Sequence, residues 1–149
     1  MNANRRTVIK TSGAMATLVA LGIVTAQQAH AAGRPGFEAR SLQDALRAVG
    51  GTPAATDQIR IVSPDIAENG AVVPVGVSST LPNTTELFIL VEKNPVPLAA
   101  AFTIPRGTEP DIQTRVRMGE SSNIVAVARS DGRLFSAVKE TKVTLGGCG

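Results

Sequence analysis

The sequence predicts an all-β sandwich of about seven antiparallel strands preceded by one short helix. Two patterns carry that reading. From Ile59 onward apolar residues recur with a period of two in short segments broken by turn signals, at the spacing of a two-sheet sandwich. Before Ile59 only one stretch, "SLQDALRAVGG", has the helical period. The Asp131-Gly132 pair adds a hairpin signal, because a two-residue turn of that type needs positive φ at both positions.

In chain order, the helix places Leu42, Ala45, Leu46 and Val49 on one face, with Ser41 to cap its start and Gly50 and Gly51 to end it. The strands are "IRIV", "AVVPVGV", "ELFILV", "AAAFTI", "IQTRVRM", "NIVAVAR" and "LFSAVKETKVTL". In the second, Val73, Val75 and Val77 share a face. Pro74 has no N–H to give a ladder, so an edge position or a bulge is expected there. In the fifth, Ile112, Thr114, Val116 and Met118 share one face, and Gln113, Arg115 and Arg117 the other. Those two arginines read as solvated-face residues, and Glu92, Lys93 and Asn94 before Pro95 as a polar turn. Phe88, Phe102 and Phe135 are the expected aromatic core residues. The expected organisation is residues 1–31 as a cleaved export signal, 32–58 as leader and helix, 59–145 as sandwich, and 146–149 as a flexible arm.

The first residues, "MNANRRTVIK", carry charge, a mildly apolar run follows to Ala26, and "AHA" at residues 29–31 is a small-residue cleavage site. Arg5 and Arg6 followed by Thr7, Val8 and Ile9 resemble the twin-arginine export motif, with an ordinary secretory signal as the alternative. The apolar run falls short of the roughly 20 residues of a membrane span, so no membrane anchor is expected.

Arg5, Arg6 and Lys10 account for the whole formal charge of +3, which leaves the remainder balanced. With that balance, no Tyr or Trp and no Lys/Arg run, nothing favours nucleic acid. The lone histidine, His30, leaves with the signal, so a Cys-His or Ser-His pair and a metal site are not expected.

The chain's one cysteine, Cys148, stands in "GGCG" between Gly147 and Gly149. A lone thiol in an oxidising compartment either pairs between molecules or stays reactive. Gly146 and Gly147 give it a flexible arm whose four residues span at most about 14 Å. No base accompanies it, and the Gly149 carboxylate disfavours thiolate, so an independent thiol enzyme is the weakest reading. Two stay open. Cys148 serves a carrier whose chemistry comes from other enzymes, or it tethers a secreted binding or structural sandwich to a second copy through a disulfide.

"ENGAVVPV" (68–75), "LVEKNPVPLAA" (90–100), "TRVRM" (114–118) and the terminal "GGCG", behind a twin-arginine signal, resemble the SoxY family, the sulfur-carrying subunits of the periplasmic thiosulfate-oxidising Sox system. The resemblance implies an immunoglobulin-like sandwich in a heterodimer with a second β-sandwich subunit, SoxZ. It also implies a periplasmic location, no catalysis by the chain itself, and no cofactor other than sulfur covalently held on Cys148. The partners it implies are a haem enzyme that couples thiosulfate to the thiol, a hydrolase that releases sulfate, and a dehydrogenase that oxidises the remaining sulfane sulfur.

Overall fold

The computed structural model describes Arg34 and residues 36–144. The expected signal with Arg5 and Arg6, and the expected arm with Gly146, Gly147, Cys148 and Gly149, lie outside the described residues. The chain divides into Met1–Arg34 and Pro35–Gly149, and all that follows belongs to the second unit.

Helix α1 (Leu42–Val49) forms where the apolar period is 3.6. Extended Ser41 caps it, its Oγ accepting from Asp44 N at 3.1 Å, and Asp44 pairs with Arg47 one turn on. Gly50, at φ 136°, closes the helix by donating its N–H back to Leu46 and Arg47, a conformation that favours glycine.

Nine strands follow: β1 (Ala54–Ala55), β2 (Ile59–Val62), β3 (Ile66–Ala67), β4 (Val73–Ser79), β5 (Thr84–Val91), β6 (Leu98–Thr103), β7 (Asp111–Val116), β8 (Ser122–Ser130) and β9 (Arg133–Val143). The larger sheet runs β1-β9-β8-β5-β6 with β3 also on β9, and the smaller runs β2-β4-β7. Among the seven long strands, the first, second and fifth therefore form one sheet and the others face them, the order of an immunoglobulin-like sandwich. All pairs are antiparallel except β1 and β3, which run parallel to β9. The β8–β9 hairpin turns on Asp131 (φ 47°) and Gly132 (φ 75°), as the Asp-Gly signal requires.

The main core lies between the sheets, with Val73, Val75 and Val77 of β4 against Leu87, Ile89 and Val91 of β5 and Ile124, Ala126 and Ala128 of β8. A second core lies on the outer face of the larger sheet, where Ala45, Leu46 and Val49 of α1 cover Phe88, Leu90, Val125 and Val127. Phe88 is thus buried under the helix, not between the sheets, while Phe102 and Phe135 pack half-buried against the main core. Arg129 ties the helix to the sheet by pairing with Glu86 and donating to the Val49 carbonyl.

Two expectations change. β1 and β3, two residues each, had no periodic signal, and β1 joins the sheet within the stretch expected to be leader. β4 is the central strand of its sheet, not an edge. Pro74 is accommodated because β2 leaves the ladder at the Val62–Gly76 pair, two residues short of it, so a missing donor on that side breaks no pairing.

Candidate functional site

Cys148 lies beyond Thr144, the last described residue, and four peptide links keep its Cα within about 14 Å of the Thr144 Cα. The describable part of the site is therefore the place where β9 ends. Segment 63–67 runs alongside β9 there and fixes it. Lys142 N donates to Asp65 O at 2.9 Å, and Thr144 N to Ala67 O at 3.0 Å. Buried Ser63 and Thr141 share a 2.9 Å hydroxyl hydrogen bond, which satisfies both polar groups inside the sandwich. Lys139 Nζ donates to Ser63 O at 2.6 Å and pairs with Asp65 at 3.2 Å. From the other side Ser121 Oγ accepts from Val143 N at 2.8 Å. The arm thus springs from a point anchored on two flanks.

Three sequence stretches that are far apart in the chain meet at this end. Met118 N donates to Gly70 O at 2.7 Å, joining the β3–β4 loop to the end of β7. Asn94 of the β5–β6 loop donates through Nδ2 to Arg117 O at 2.7 Å and accepts from Gly119 N at 3.2 Å. Glu92 accepts from Asn123 Nδ2 at 2.8 Å, and Lys93 N donates to Ser122 Oγ at 3.0 Å. The polar turn at residues 92–94 thus cross-braces the loops. Gly70 fits so closely that an added Cβ would stand 2.4 Å from Met118 O and 2.9 Å from Val143 Cγ1. Arg115 and Arg117 are exposed, as their alternation predicts.

The structure brings Gly70, Asn94, Arg117 and Met118, from the stretches 68–75, 90–100 and 114–118, together near the end of β9, and Cys148 lies outside the described residues. Sequence reasoning missed Ser63, Ser121 and Thr141, whose roles depend on contacts across the fold and leave no local pattern. Among the described residues no group of three His, Cys, Asp or Glu could hold a metal ion. No described helix is long and apolar enough to cross a membrane.

No curated protein matches this chain. Among solved structures it is similar to the sulfur carrier protein SoxY from Chlorobium limicola f thiosulfatophilum, with 38% identity and a TM-score of 0.65 over 72% of this chain and 95% of that one. It is also similar to a superoxide reductase (neelaredoxin) from Ignicoccus hospitalis, with 21% identity and a TM-score of 0.52 over 58% of this chain and 80% of that one, a likeness of fold alone. The family model for the sulfur oxidation protein SoxY matches residues 45–148, a span that starts within the helix and takes in both sheets and the "GGC" of the tail. The chain belongs to the SoxY family.

Proposed function

We propose that this protein is a sulfur carrier that holds thiosulfate-derived sulfur covalently on Cys148 and presents it to partner enzymes without catalysing a step itself. The observation that supports this most is that the family match runs through the braced end of β9 to end on Cys148. A thiol on a glycine arm with a fixed root reaches into other proteins' clefts while the domain stays rigid. In the first step the Cys148 thiol loses its proton and bonds to the outer sulfur of thiosulfate, and the two electrons released pass to a haem enzyme. Water then cleaves the terminal sulfur–sulfur bond under a hydrolase, giving sulfate and a persulfide on Cys148. A dehydrogenase oxidises the remaining sulfane sulfur. The domain pairs with a SoxZ-like β-sandwich subunit in the periplasm.

Protein purified from its native periplasm tests this directly. It should elute with a second β-sandwich subunit, and its C-terminal peptide should carry sulfur and sulfonate mass increments that reductant removes. A monodisperse monomer would overturn the pairing. A bare thiol throughout, or a reducible homodimer joined at Cys148, would overturn the carrier role.

Export is the second expected outcome. Changing Arg5 and Arg6 together to Lys should leave the precursor in the cytoplasm, because a receptor reads the arginine pair as an address. Normal appearance of that variant in the periplasm would refute the twin-arginine route, and N-terminal sequencing of the wild type tests cleavage after Ala31.

A further inference from the structure

Gly76 sits mid-way along β4, the central strand of the smaller sheet, paired with Val62 on one side and Gln113 on the other. Glycine in a strand interior costs stability, since it loses the most chain entropy and packs no side chain. The fold does not call for one here. The β4–β7 register runs through Gly76 and the β2–β4 register ends at it, neither with a bulge, and its φ lies outside the left-handed region. A Cβ would meet Val62 Cβ at 3.4 Å and Ile112 O at 3.8 Å, ordinary contacts.

Gly76 borders a groove. A cavity of about 370 Å³ opens where β2 leaves β4, lined among others by Val62, Pro64, Pro74, Gly76 and Gln113. Val62, at the rim of the groove, is 56% exposed. Helix α1 covers the outer face of the larger sheet, whereas no described element covers that of the smaller one. The face is also basic. Arg60, Arg115 and Arg117 point outward with no ion-pair partner among the described residues, against one acid, Asp111.

We infer that this groove docks a partner protein that lays one bulky apolar side chain over Gly76 and sets carboxylates against Arg115 and Arg60. The apolar lining selects the side chain, and the unpaired arginines select the flanking charge and steer its approach. The Pro74–Arg115 pair adjoins the Val73–Val116 pair, from which the chain leads to the Gly70–Met118 hydrogen bond at the root of the arm. A protein seated here lies beside that root. The inference deepens the carrier reading, on which its purpose rests, by giving one visiting enzyme a surface distinct from that of the SoxZ-like subunit.

A photo-crosslinking residue at Gln113, activated in native cells and followed by sequencing of the joined peptide, tests it. The expected product links Gln113's position to a large apolar residue of another protein with Asp or Glu within three positions. Gly76→Val should lower the yield at least tenfold with Tm unchanged or raised, and Arg115→Glu should do the same through charge. A link to residues 145–149 of the same chain, to a second copy or to a basic segment would overturn the inference, as would no link at all. So would an undiminished yield in either variant, or a fall in Tm for Gly76→Val. In a Cys148→Ser background the link should persist, so loss of sulfur increments refutes carriage and loss of the link refutes docking, each on its own.

Discussion

Replacing Cys148 by serine is expected to stop thiosulfate turnover in a reconstituted system while moving the unfolding free energy by less than about 0.5 kcal/mol, as for other sites outside a core. The two effects separate because they have different origins. The sandwich is held by two clusters drawn from residues 37–143, one between the sheets and one under α1. Serine keeps the size and backbone freedom of cysteine, but its hydroxyl forms no bond to sulfur that a partner enzyme could later break. Turnover measured with purified partners, alongside urea unfolding of both proteins, reads the two quantities independently. Full turnover by the variant would sink the carrier reading. Deleting Gly146 and Gly147 supplies the matching control, since it keeps the thiol and shortens the reach by roughly 7 Å. Turnover should fall there too, while the thiol still reacts with small reagents.

How much of this was legible beforehand follows from where each signal resides. The seven long strands and the helix show in the sequence because their periods are local: Val73, Val75 and Val77 alternate with exposed or half-buried residues along β4 wherever that strand happens to pair. Sheet membership is not local. Pro74 suggested an edge, yet β4 is central, because what tolerates the proline is the early departure of β2, a fact of another segment. β1 and β3 were invisible for a similar reason, being two-residue contacts made by β9's register and by no pattern of their own. Cys148 stands out in the sequence as the one thiol, set between glycines, with a carrier and a tether both open until the family resemblance favours the carrier. The root of its arm does not stand out, because Ser63, Ser121 and Thr141 are ordinary strand and loop hydroxyls until the fold places them against β9. Asn94 read as a turn residue and is one, but it is also the brace between two loops.

Gly70→Ala should be the most damaging single-methyl change in the domain. The added Cβ would stand 2.4 Å from the Met118 carbonyl oxygen, a backbone atom with no rotamer to turn away, and 2.9 Å from Val143 Cγ1. Relief requires the β3–β4 loop to withdraw from residues 117–119, which stretches the 2.7 Å hydrogen bond from Met118 N to Gly70 O. Overpacking of this kind costs about 1–3 kcal/mol and the weakened hydrogen bond about 1 more, so a loss of roughly 2–4 kcal/mol is expected in urea unfolding. Gly119→Ala, one residue past Met118, is the control. Nothing lies within 4 Å of its Cβ, so it should stay within about 0.5 kcal/mol of wild type although it sits in the same cluster of loops. Because Val143 is the last residue of β9, the strain in Gly70→Ala falls on the root of the arm as well as on the fold. Turnover should therefore drop by more than the unfolded fraction explains, with the reactivity of the Cys148 thiol toward small reagents unchanged. Equal stability of the two alanine variants would show that the loop yields freely at Gly70 and that the arm's root is less firmly fixed than its hydrogen bonds imply.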